Sequence, residues 1–125
     1  MGKSFGTAMN VKISEDSVTF KISEEELKTL LSGRVLEKKM MLGRGAFAVV
    51  IDPDPEPFFD DAIEHPLKLI QDKFETCLML CTSKESIQKL FDMGKSRDGL
   101  ACRADGMDVF LQVDVRGDSR NRIAQ

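Results

Sequence analysis

The sequence has no Trp and no Tyr, so eight Phe carry its whole aromatic content of 6%. Single-stranded nucleic acid is held on stacking platforms and basic grooves, and this chain offers neither. Its 18 Lys and Arg are outnumbered by 21 Asp and Glu, for a net charge of −3. Nucleic acid is therefore not an expected partner. Cysteine is scarce too. Cys77, Cys81 and Cys102 cannot all pair internally and lack metal-ligand spacing, which suits a reducing compartment. No apolar run approaches the roughly 20 residues of a membrane helix, and the polar stretch Met1–Asn10 has no signal-peptide core. With 42% hydrophobic and 31% charged residues over 125 positions, one soluble cytoplasmic domain is expected.

Two helices are signalled by their caps. Ser23-Glu24-Glu25-Glu26 is a capping box, in which the Ser23 hydroxyl accepts from the Glu26 N–H and Glu26 reaches back. Leu27, Leu30 and Leu31 then share a face, and Gly33 supplies the left-handed stop. Ser83 opens a second helix with Ile87, Leu90 and Phe91 on one face and Gly94 at its end. Most of the rest alternates as strands do. Val11 and Ile13, then Val18, Phe20 and Ile22, flank a turn at Glu15-Asp16-Ser17. Gly43-Arg44-Gly45 marks a hairpin between Arg34–Leu42 and Ala46–Asp52. Later strands are Leu67–Ile70 and Thr76–Thr82, followed after the second helix by Leu100–Ala104 and Met107–Arg116 about an Asp105-Gly106 turn.

Side by side, the two series repeat. Val11-Lys12-Ile13 matches Leu67-Lys68-Leu69, Val18–Ile22 matches Leu78–Thr82, Ser23 matches Ser83, and Gly45–Asp52 matches Gly106–Val113. The expectation is an α+β fold of internally duplicated ββαββ units, with two helices and a mainly antiparallel or barrel-like sheet of up to eight strands. A lone unit of this size leaves one sheet face uncovered, whereas two related by a pseudo-twofold axis cover each other. The domain then spans residues 10–116, with halves 10–52 and 66–116, a disordered leader at 1–9 and a flexible tail at 117–125. Residues 53–65 read as a linker, because Pro53, Pro55 and Pro57 alternate with acids and favour extended polyproline II.

In Val11–Glu37 and again in Leu67–Phe91, a Lys-bearing strand, a turn and a second strand run into a Ser/Glu-capped helix. This layout resembles a family of short bacterial proteins grouped only as a domain of unknown function. The resemblance covers about residues 10–116 and implies a style of fold; it carries over no functional residues.

Several motifs invite a chemical reading. Gly43-Arg44-Gly45-Ala46-Phe47-Ala48 fits a glycine-rich nucleotide loop, but a helix must follow such a loop, and a β-rich run closed by Pro53 follows here. Gly2-Lys3-Ser4 is the end of a phosphate loop without its front half. Asp52, Asp54, Glu56, Asp60, Asp61 and Glu64 supply oxygen ligands of the kind Ca²⁺ or Mg²⁺ takes, on a backbone that the prolines hold extended. A solvated linker is the favoured reading, and no metal or cofactor is assigned. His65, the sole histidine, has Asp61 and Glu64 nearby but no nucleophile elbow to serve. Cys77 and Cys81 read as core residues sharing a strand face with Met79, and Cys102 as partly exposed. Arg116, Arg120 and Arg122 read as a frayed basic end.

No catalytic set emerges. The expected function is a non-enzymatic binding or protein-interaction module, monomeric or homodimeric, for a protein partner or small ligand. The alternative is a small enzyme or binding protein for a phosphorylated or nucleotide ligand in a cleft between the halves, possibly with a divalent cation. There Lys12, Lys21, Lys38, Lys39 and Lys68 would line the cavity.

Overall fold

Ser23 and Ser83 start the two helices as their side chains require. In a computed structural model that describes residues 9–55, 59–94 and 99–114, α1 spans Glu24–Leu31 and α2 spans Lys84–Asp92. The Ser23 hydroxyl accepts from Glu26 N–H at 3.1 Å, and the Glu26 carboxylate accepts from Ser23 N–H at 2.8 Å. Ser83 accepts from Ser86 N–H at 3.0 Å, without the reciprocal bond, because position three of this helix is Ser and not Glu. Gly33 and Gly94 follow the helix ends at φ +90° and +66°, where a Cβ is disfavoured. The expected face of α2 needs one correction: Ile87 and Leu90 are buried, but Phe91 is 47% exposed. Phe91 follows Leu90 directly, and neighbours in a helix sit about 100° apart, so only Leu90 turns inward.

Eight strands accompany the helices: β1 Asn10–Ile13, β2 Ser17–Ile22, β3 Leu36–Leu42, β4 Gly45–Asp52, β5 Leu67–Gln71, β6 Glu75–Cys81, β7 Leu100–Ala104 and β8 Met107–Val113. Together they make an α+β fold. The strands divide into two four-stranded mixed sheets, in the orders β1-β2-β8-β7 and β3-β4-β6-β5. Sequence neighbours pair antiparallel, and the central pairs, β2 with β8 and β4 with β6, run parallel. Each half therefore gives its first hairpin to one sheet and its second hairpin to the other, the helix carrying the chain across. Neither half closes a sheet alone.

Exchanging the halves maps one sheet order onto the other. A row of partners runs Val11, Phe20, Leu111, Leu100 across the first sheet. Its counterpart runs Leu67, Leu80, Ile51, Leu36 across the second. This correspondence corrects the hairpin match by one residue. Ile51, not Val50, stands where Leu111 does, and the β3–β4 hairpin extends two residues beyond its counterpart before turning at Gly43-Arg44. The direction matters, since a shift of one residue moves a strand's side chains to the opposite face. Asp105 and Gly106, at φ +52° and +82°, form the other two-residue turn, of the type that Asp-Gly favours.

Inward-facing residues of both sheets and both helices make one apolar cluster, with Phe20, Ile22, Leu30, Val49, Ile51, Ile87, Leu90 and Val109 all below 3% exposure. Met9 joins it, fully buried. Its N–H donates to Glu26 Oε2 at 3.1 Å, and its carbonyl accepts from Lys38 Nζ at 2.8 Å. The segment read as a solvated linker is more closely packed than an extended spacer. Pro53, Pro55 and Ala62 are buried, and residues 60–64 turn back so that His65 N–H donates to Asp61 O at 2.8 Å. Three small apolar residues gain more from covering the sheet end than from staying in water.

Candidate functional site

The described structure contains a cleft of about 770 Å³, within the range of ligand sites. Its floor is an edge of the core: Leu80 on β6 and Val109 and Leu111 on β8, all buried, and Leu100 on β7, partly buried. Ala62 and Ile63 of the linker, with Pro66 just beyond it, form one wall, and Cys81 and Cys102 also line the cleft. The first turn of α2, with Lys84, Glu85 and Ser86, and Lys89 one turn on, forms the mouth. Lys84 Nζ lies 3.7 Å from Asp54 Oδ2, which ties α2 to the linker. Glu85 and Lys89 make no side-chain hydrogen bond or ion pair among the described residues, so both charges remain open to a ligand.

Burial pushes the Cys81 thiol upward, with the nearby Asp52 and Asp61 carboxylates adding to it against Lys68. Cys102 is exposed, and the partial desolvation it meets at the cleft wall pushes its thiol upward too. A thiol so shifted is mostly protonated at neutral pH and a weak nucleophile. Cys77 lies elsewhere, half-buried on the opposite face of β6 from Leu78 and Leu80, and burial raises it as well. Cys81 shares that face by strand parity, as the sequence predicts, at the β6 end that meets the linker.

Other candidate groups are placed apart. His65 is half-exposed, with Nδ1 3.6 Å from Asp105 Oδ1 at the β7–β8 turn, a contact between linker and hairpin tip. Asp61 holds Lys68 at 2.7 Å, and this ion pair keeps the Asp61 carboxyl below its usual range. The Lys68 ammonium also lies 5.0 Å from the centre of the Phe59 ring. Asp52 is buried and spends Oδ1 on the Asp54 N–H at 2.9 Å. These acids thus turn to separate partners, and no group of three metal-ligating side chains forms among the described residues. Glu56 lies outside the described residues, as do Gly2-Lys3-Ser4 and Arg116, Arg120 and Arg122.

The five strand lysines do not converge either. Lys12 and Lys39 are exposed, Lys38 holds Met9, and Lys68 holds Asp61. Lys21 pairs with Asn10 and Gln112 on the outer, polar row of the first sheet. After Gly43-Arg44 the chain continues as β4 and not as a helix, so the glycine motif is a hairpin turn with no helix N-terminus to meet a phosphate. In the sequence, none of the cleft's floor residues belongs to a functional motif. The only advance signal was their apolar alternation, which is equally the signal of a closed core. Compared with known proteins, the chain matches no protein family and no curated protein. Among the described residues, no helix is long and apolar enough to cross a membrane.

Proposed function

We propose that this protein is a non-enzymatic binding or interaction module, built in the style of the bacterial family its layout resembles and acting in the cytoplasm. One observation carries the reading: the space between the sheets is packed with apolar side chains, and the remaining opening has an apolar floor with a sparse charged mouth. Such a lining desolvates an apolar group and orients it with one or two polar contacts. The phosphorylated-ligand alternative loses support, because its lysines are spread over both sheets and two are already engaged by Met9 and Asp61.

The test uses 8-anilinonaphthalene-1-sulfonate, an apolar fluorophore, with the full chain. Saturable fluorescence is expected, with amide shifts confined to Ser86, Cys102 and Leu111. Leu80→Phe, which narrows the floor, abolishes the signal. Absence of saturable binding, or shifts confined to the outer sheet faces, overturns the proposal.

A further inference from the structure

The two halves end their sheets in equivalent places, and among the described residues a side chain fills only one of them. The matched rows and the matched helix caps set Met9 against His65, Glu26 against Ser86, and Lys38 against Cys102. In the first half Met9 plugs its slot completely, its N–H held by a carboxylate and its carbonyl by an ammonium. In the second half His65 points away to Asp105 with half its side chain in solvent. The clamping pair is replaced by a hydroxyl and a thiol. The walls shrink as well, Phe20 becoming Leu80 and Ile22 becoming Thr82. The cleft of about 770 Å³ is what these changes leave.

The cleft keeps the apolar floor of its occupied twin but not the clamping pair. Its floor is apolar, and its mouth carries one carboxylate, Glu85, and one ammonium, Lys89, with no partners among the described residues. Unlike Glu26 and Lys38, whose equivalent positions are held by Ser86 and Cys102, these two charges stand on consecutive turns of α2 at the mouth. A linear hydrocarbon would satisfy the floor and leave both charges unused, whereas a peptide unit presents one N–H and one C=O to match them. We infer that the cleft binds an extended peptide of a partner protein, one unbranched apolar side chain entering where the Met9 side chain lies in the twin slot and the peptide main chain meeting Glu85 and Lys89 at the mouth, since the chain's own His65 backbone already stands in the place of the Met9 backbone. This rests on the cleft being the binding site, and it names the partner's chemistry. Recognition of this kind places an apolar anchor in a pocket and charge-assisted bonds on the main chain.

The probe is the blocked hexapeptide acetyl-Thr-Ala-Met-Asn-Val-Lys-amide, which copies residues 7–12 of the chain. Titrated into the full-length protein, it is expected to shift the Ser86, Cys102 and Leu111 amides saturably, with Kd below ~1 mM. Its Met→Ser analogue does not bind. His65→Met supplies the chain's own plug and weakens the peptide at least ~10-fold, and Glu85→Lys, also at an exposed site, weakens it by removing an acceptor. Three outcomes overturn the inference: no shifts to several times that concentration while the fluorophore still binds the cleft, equal binding of the Ser analogue, or cleft shifts that arise from raising protein concentration alone, which identify a second copy as occupant. If the fluorophore fails together with the peptide, the binding-site reading falls as well.

Discussion

Replacing Glu26 by Ala removes a carboxylate that is 7% exposed and that serves two backbone donors in different elements. Hydrogen bonds to a charged group contribute about 1.5–3 kcal/mol each, and leaving a buried N–H unmade costs about 1–3 kcal/mol. The Ser23 N–H sits at a half-buried cap that water reaches, so its loss falls at the low end of that range. The Met9 N–H is in the buried contact and has no such relief. A net destabilisation of about 3 kcal/mol follows, allowing for overlap between the two bonds. The counterpart change, Ser86→Ala, touches only a hydroxyl contact with Ser83 at 3.1 Å on an exposed surface and is expected to cost about 0–0.5 kcal/mol. Urea unfolding followed by circular dichroism reads both, with unchanged slope for each variant. Glu26→Gln keeps an acceptor and is expected to lie between them. If Glu26→Ala and Ser86→Ala unfold at the same urea concentration, the Met9 clamp is energetically idle, and the contrast drawn between the two slots fails.

Leu30→Ala, at 1% exposure in the shared cluster, is expected to cost about 2–5 kcal/mol, whereas Phe91→Ala, despite its larger side chain, costs within about 0.5 kcal/mol. Hydrogen exchange on Leu30→Ala will show amides of β2 and β8 losing protection together; protection retained in β8 alone would mean that the parallel central pair is not one cooperative unit. Asp72 accepts from the N–H groups of Phe74 and Glu75, both at 2.8 Å, which hold its carboxyl below the ordinary 3.8. A depressed acid stabilises the fold above its unfolded pKa and loses that contribution as pH falls through the folded one, so below about pH 4 the urea midpoint of Asp72→Asn should fall less steeply than that of the parent. Identical acid limbs for the two proteins would refute the assignment.

The sequence by itself determined the elements. Ser23 with Glu26, Ser83, Gly33, Gly94 and Asp105-Gly106 act on backbone groups within a few residues, so their chemistry is complete before any tertiary contact forms. Strand alternation likewise identifies Val18, Phe20 and Ile22 as one face of a strand, and all three are buried. Local patterns of this kind are legible because sequence distance and spatial distance coincide. The repeat of element order was legible for the same reason. The exact hairpin match was not, since glycines line up in sequence whereas backbone partners line up in space, one residue away.

Only the tertiary structure decided which strands meet. Nothing in Val18–Ile22 names Val109–Val113 as its parallel neighbour over more than 80 residues of chain; any apolar strand of matching length satisfies the same local pattern. The exchange of hairpins is selected by the sum of burial over two sheets and two helices, a quantity that no window of sequence contains. The cleft was invisible for the same reason. Leu80, Leu100, Val109 and Leu111 look like any core residues, and what distinguishes them is the Met that fills the first half's slot and the His65 that turns away from the second. An empty place is a property of several distant side chains being small together, so it exists only once the chain has folded around it.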